Sequence, residues 1–216
     1  GERRQRREAA LTQHIHARAL PWLQQTPLPP QAWRVLGPQR LELSGWLADV
    51  RPSGNLLVLR RKASPFYLLQ AWLDHLALCQ LQPAGATLQT TMVAEDGIWQ
   101  LRRVDDPGQH WQALLSIYWQ ALQQPLPLFR KTSSAYAKAL AADPGKKSPE
   151  ETQEAALKAA RNAWLGNSHS DSAGEVQQDL WLNLLWGAQD PLNREFGTLA
   201  RQVWLPLYQH LQALRE

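Results

Sequence analysis

The chain is predicted to fold as α+β, α/β-like in its first half, with a mainly helical last third. Three observations lead there. Residues 31–124 run strand, strand, helix, strand, strand, helix, the order of helices packed on a sheet. Beyond Gln124 the apolar spacing turns helical. At 216 residues and 44% hydrophobic content, the chain is long enough to bury one substantial core. We therefore read 1–216 as one domain, with an N-terminal helix and Pro-rich linker over 1–30, an α+β core over 31–124 and a mainly helical extension over 125–216.

Leu11, Ile15, Leu20 and Leu23 recur among polar residues from Arg6 to Gln24, which predicts a helix ending before Pro27-Leu28-Pro29-Pro30. Strands are expected at Trp33–Leu36, Leu41–Val50 and Asn55–Arg61. The last two flank Pro52-Ser53-Gly54 and are expected to pair as a hairpin. Ser64 as N-cap with Pro65 behind it starts a helix reaching about Cys79. Thr87–Val93 and Ile98–Val104 read as a second hairpin around Glu95-Asp96-Gly97. Pro107 then opens a helix whose apolar face is Trp111, Leu114, Leu115, Tyr118 and Leu122. After an exposed connection at Asp143–Pro149, Ser148-Pro149-Glu150-Glu151 begins a helix to Trp164, with acids in its first turn. Gly166–Gly174 is expected to be a mobile loop. Two more helices follow, one near Glu175–Trp186 and one from about Asn193, interrupted at Pro206.

The balance of 23 basic against 19 acidic residues leaves +4, a mild excess compatible with nucleic acid. The single cysteine, Cys79, lies in an apolar helical stretch and cannot form an intrachain disulfide, so a reducing cytoplasm is expected. No apolar run approaches the roughly 20 residues that span a bilayer, and the Arg-rich start has no apolar segment of secretory type behind it. A soluble protein that is not exported follows as the expectation.

The chemistry concentrates between Gly45 and Lys62. Nucleases of the restriction-endonuclease-like class carry an acid near the end of one strand and an acid-x-Lys on the next. Side chains two apart share a face, and the acids hold the metal that activates water. In Arg60-Arg61-Lys62 the lysine remains, but an arginine stands where a metal ligand is needed. A guanidinium cannot bind Mg²⁺ and attracts a phosphate instead. Asp49 falls one residue late for the pattern, which turns it to the opposite face. The reading is a nuclease outline without catalytic or metal-ligating residues.

Gly45-Trp46-Leu47-Ala48-Asp49-Val50-Arg51, Phe66–Leu78, Gln124-Pro125-Leu126-Pro127-Leu128-Phe129, Lys131-Thr132-Ser133 and Leu205-Pro206-Leu207 follow one another in an order that resembles the C-terminal domain of RecC. RecC is the exodeoxyribonuclease V gamma subunit of the RecBCD helicase-nuclease. The resemblance implies a catalytically inactive restriction-endonuclease-like core, RecB and RecD as partners, DNA as a single strand or forked duplex end, and a role in double-strand-break repair and homologous recombination. The motors and the active nuclease would belong to the partners.

From the residues themselves, Arg51, Arg60, Arg61 and Lys62 on one hairpin and Arg102 and Arg103 at the end of a later strand form a candidate basic rim for phosphates. Arg130 and Lys131 form a second small site on an extended segment. Each group could equally be a solvated edge or loop. Of eleven tryptophans, Trp164, Trp181, Trp186 and Trp204 crowd the last third and are candidate partner contacts; stacking on bases and core packing are the alternatives. The six histidines show no metal-ligand spacing: His14 and His16 are two apart on a predicted helix and point to different sides, and His75, His110, His169 and His210 are scattered. Ser168-His169-Ser170-Asp171 contains triad letters without a geometry. No phosphate-binding Gly-rich loop is present, so no cofactor is expected. Two rival readings remain: a purely structural protein-interaction domain, and an active metal-dependent nuclease drawing its acids from Asp49, Glu42, Asp96 or Glu8.

Overall fold

Helix α1 (Glu2–Leu23) buries Ile15 and Ala19 against Leu56 and Val93 of the central sheet, as the spacing of its apolar residues requires. Its first nine residues are all exposed. The computed structural model describes residues 1–142, 145, 148–167 and 172–214. The chain divides into two units: Gly1–Gln112 with His210–Glu216, and Ala113–Gln209. The architecture is mixed α+β, with sheet flanked by helices.

In the first unit, β1 (Gln31–Leu36) and β2 (Glu42–Leu47) form an antiparallel ribbon in the register Trp33↔Gly45. A Cβ on Gly45 would lie 2.8 Å from the Trp33 ring. Glycine is thus the residue that lets the indole lie across the neighbouring strand. On this ribbon Trp33 stacks on the buried Trp111 at 5.2 Å. Next come β3 (Val50–Arg51) and β4 (Gly54–Val58), joined by the Pro52-Ser53 turn. Gly54 has φ 109°, and a Cβ there would meet the Gln89 carbonyl at 2.1 Å. Helix α2 (Pro65–Leu81) starts at Ser64-Pro65 as expected and ends on left-handed Gln82. It connects β4 to the parallel strand β5 (Thr90–Ala94), a pairing that demands such a crossover. Strand β6 (Gly97–Leu101) returns antiparallel through Glu95-Asp96.

The remaining elements are α3 (Pro107–Ala121), α4 (Arg130–Ala141), α5 (Pro149–Leu165), β7 (Gly166–Asn167), β8 (Ser172–Ala173), α6 (Glu175–Gln178), α7 (Leu180–Trp186), α8 (Arg194–His210) and β9 (Leu211–Leu214). The main sheet has the order β3-β4-β5-β6-β9. In the second unit, Phe129, Tyr136, Trp164 and Phe196 form the core, with Phe129 4.4 Å from Trp164. Ala156 and Ala160 on α5 are fully buried there, and their small side chains permit close helix packing. Helix α5 starts at Ser148-Pro149 as expected, and the structure adds a capping box in which Ser148 and Glu151 each accept the other's backbone N–H.

Several expectations change. The strand expected over Leu41–Val50 breaks at Ala48-Asp49, and its first part pairs with β1 rather than with β4. The expected hairpin survives only as Val50↔Asn55 and Arg51↔Gly54. Alternation identifies a strand but not its partner. The helix expected at Glu175–Trp186 is two helices separated at Asp179, whose carboxylate caps α7 through the N–H groups of Trp181 and Leu182. Helix α8 runs through Pro206, and β9 follows where a continuing helix was expected. Four apolar-leaning residues are too few to tell the two periods apart. Tyr118 and Leu122 are exposed, whereas Trp111, Leu115 and Ile117 are buried.

Candidate nucleic-acid interface

The parallel pair β4–β5 determines where the basic loop lies. After Val58 the chain leaves regular strand, but Leu59 N–H still donates to Val93 and Glu95 N–H donates to the Arg61 carbonyl. Arg60, Arg61 and Lys62 therefore stand exposed in a bend at the carboxyl end of the pair. Open sheets with parallel strands present ligands at this end. Asp96 accepts the Ala63 N–H at 2.8 Å and holds the bend against the β5–β6 turn. From α1, Arg18 Nη1 reaches the Ala94 carbonyl at 2.9 Å. Because these cations follow the strand, the strand alternation used to pair Arg60 with Lys62 does not apply.

The expected single rim divides. Arg51 is 7% exposed, and its Nη1 donates to the carbonyls of Trp22, Leu23 and Gln25 at the end of α1. Its Nη2 pairs with Asp49 at 2.7 Å. A guanidinium so engaged closes off a helix C-terminus and does not face solvent. Arg102 and Arg103 follow β6, whose Leu101 pairs with Thr90 at the start of β5. They lie at the opposite end of the sheet from Arg60, one strand length or about 15 Å away. Arg103 also pairs with Asp105 at 3.2 Å.

Arg130 and Lys131 open helix α4 instead of lying on an extended segment. The buried Glu175 carboxylate accepts N–H groups of Lys131 and Thr132. It thus occupies the place at the helix terminus that a phosphate would take. Lys131 Nζ donates to Gln178.

The four tryptophans separate too. Trp164 and Trp204 are buried, and Trp186 is half-buried against the second unit's core. Trp181 is 70% exposed. The Ser168–Asp171 run lies outside the described residues.

The four acids available to a rival catalytic centre are each engaged elsewhere. Asp49 pairs with Arg51, Glu42 with Arg34 at 3.5 Å, Glu8 with Arg4 at 3.0 Å, and Asp96 with the Ala63 N–H. Among the described residues, no three His, Cys, Asp or Glu side chains are grouped to hold a metal ion, and no helix is long and apolar enough to cross a membrane. The free Cys79 is buried.

One cluster has no signal in the sequence. His75, His110 and His210 converge on the buried Trp72 at ring distances of 6.0, 5.6 and 5.6 Å. His75 lies 3.0 Å from Thr90 Oγ1 and 2.8 Å from the Arg102 carbonyl oxygen. Burial lowers its pKa to about 4, while burial raises that of its neighbour Asp74 to about 6. The two work in opposite directions. His75 is neutral in the fold, so its contribution is complete above about pH 6.5 and declines toward pH 4. Asp74 prefers to be protonated, so its ionisation costs stability above about pH 6 and that cost fades toward pH 3.8. Asp74→Asn should therefore raise the unfolding midpoint at pH 8 and leave an uncompensated loss on acidification from 6.5 to 4. Urea titrations at both pH values check it; a midpoint at pH 8 equal to or below the parent's would refute the assignment.

A family model described as RecC C-terminal domain matches residues 1–141, more than half of the chain. No curated protein matches it. The matched span contains every strand of the main sheet except β9.

Proposed function

The chain belongs to the RecC C-terminal domain family, and on that footing we propose that it is a non-catalytic, nuclease-like domain of the exodeoxyribonuclease V gamma subunit. In this reading it guides DNA and docks partner subunits, RecB and RecD, during double-strand-break repair. The observation that carries the proposal is the exposed basic run Arg60-Arg61-Lys62 beyond the carboxyl end of β4, in a mixed sheet with a helical crossover. Charge placed there attracts the DNA backbone without reading bases.

Docking falls to α7. Leu182 and Trp186 pack on the second unit's core. Leu180, Trp181, Leu184 and Leu185 remain 79%, 70%, 73% and 50% exposed. Their spacing puts them on one helix face, and a helix apolar on both sides is ordinarily covered on both.

Arg60→Glu with Lys62→Glu should weaken single-stranded and duplex DNA binding alike. It should flatten the plot of log affinity against log salt by roughly 0.7 to 0.9 for each phosphate that is no longer neutralised. Calorimetric titration with Mg²⁺ or Mn²⁺ should reveal no stoichiometric site. A metal site at the β4 end with Mg²⁺-dependent cleavage would replace this reading by an active nuclease. An unchanged salt slope would leave a protein-interaction domain alone.

A further inference from the structure

The formal charge is unevenly shared: the first unit holds 14 of the basic and 10 of the acidic residues, the second 9 of each, so the whole excess of +4 lies in the first. Arg51 is internal and already paired with Asp49. Much of the usable excess therefore lies in two places, the Arg60–Lys62 bend and helix α1.

On α1 the first two turns carry four arginines with different surroundings. Arg4 pairs with Glu8 at 3.0 Å and Arg6 with Glu2 at 3.5 Å. Arg3 and Arg7 have no ion pair among the described residues. At about 100° per residue, Arg3, Arg7, His14 and Arg18 fall within roughly 60° of one another, and no acid shares that stripe. Arg3, Arg7 and His14 are exposed. The stripe ends at Arg18, which is bonded to the last residue of β5. One residue further, Glu95 is bonded to the Arg61 carbonyl, so the helix stripe and the basic bend meet at the same corner of the sheet.

We propose that the Arg3–Arg7–His14 face of α1 is a second phosphate-binding arm, continuing the Arg60–Lys62 bend into one nucleic-acid backbone track. It rests on the DNA-guiding reading and extends it. The arm spans about three turns, with successive positions about 6 to 10 Å apart along the axis, and it presents side chains that bind phosphate by charge and hydrogen bonding without selecting bases. Glu95 and Asp96 are acids beside the junction and limit the attraction there.

The test uses the full 216-residue chain and a mixed-sequence oligonucleotide, single-stranded and duplex, over a range of salt. Arg3→Ala with Arg7→Ala should flatten the salt slope by about 1.4 to 1.8, the share of two phosphates. Arg4→Ala with Arg6→Ala removes the same formal charge from arginines already engaged by Glu8 and Glu2, and should change the slope by less than half as much. Glu95→Gln should tighten binding. Circular dichroism checks that α1 stays helical in each variant. Equal reductions from the two arginine pairs would mean that only net charge matters, and would overturn the arm. A normal slope in Arg3→Ala/Arg7→Ala beside a reduced one in Arg60→Glu/Lys62→Glu would overturn the arm and leave the guiding reading standing. Salt-independent or absent binding by the parent chain would overturn both.

Discussion

Arg51→Ala should destabilise the first unit by about 1 to 3 kcal/mol while leaving the salt dependence of DNA binding as it is. The guanidinium is 7% exposed and serves three carbonyls at the end of α1 as well as the Asp49 carboxylate. Removing it takes the donor from three half-buried carbonyls at the end of α1, the costly side of buried hydrogen bonding, whereas the partly exposed Asp49 carboxylate can turn to water. Arg51→Lys should recover little, because an ammonium lacks the planar fork that reaches two directions at once. Urea unfolding reports the destabilisation directly. A change below about 1 kcal/mol together with a flatter salt slope would return Arg51 to the phosphate-binding group.

The second large effect concerns α7. Trp181→Ala in the intact gamma subunit should weaken association with a partner subunit by at least about 30-fold, equivalent to about 2 kcal/mol, and Leu184→Ala should add to it. Both side chains are at least 70% exposed, so the variants should unfold at the parent's urea concentration. Trp186→Ala should behave oppositely. Its ring lies 6.0 Å from Phe129 and packs on the core, so removing it should lower stability before it affects assembly. Sedimentation of the reconstituted complex separates these outcomes. Normal assembly with both Trp181→Ala and Leu184→Ala would remove α7 as a docking face.

The elements legible in the sequence share one property: their signals are local. Ser64-Pro65 starts α2, Ser148 and Glu151 form a capping box, and Glu95-Asp96 turns one strand into the next; each depends on neighbours within a few residues. The pairing of β2 with β1 depends on how the Trp33 ring fits over Gly45, and the parallel pairing of β4 with β5 on a crossover of more than thirty residues. No local pattern records either. The basic site is partly legible in the same way. Arg60-Arg61-Lys62 is evident as a run, but its place beyond the strand and its separation from Arg102 and Arg103 require the sheet order. The tryptophans are legible only as a composition, since the burial of Trp164 and exposure of Trp181 depend on which helix face finds a core.

By itself, then, the sequence determined the α+β class, most helix starts, the β5–β6 hairpin, the basic run Arg60-Arg61-Lys62, and a resemblance to the family that the chain belongs to. Tertiary structure alone decided that Arg51 closes off α1, that Glu175 fills the start of α4, that three distant histidines enclose Trp72, and that β9 completes the sheet. The physical reason is range. Capping, turn and periodicity energies act over about one helical turn or one hairpin, whereas burial and tertiary hydrogen bonding are settled by groups brought together from 26 to more than 100 residues apart.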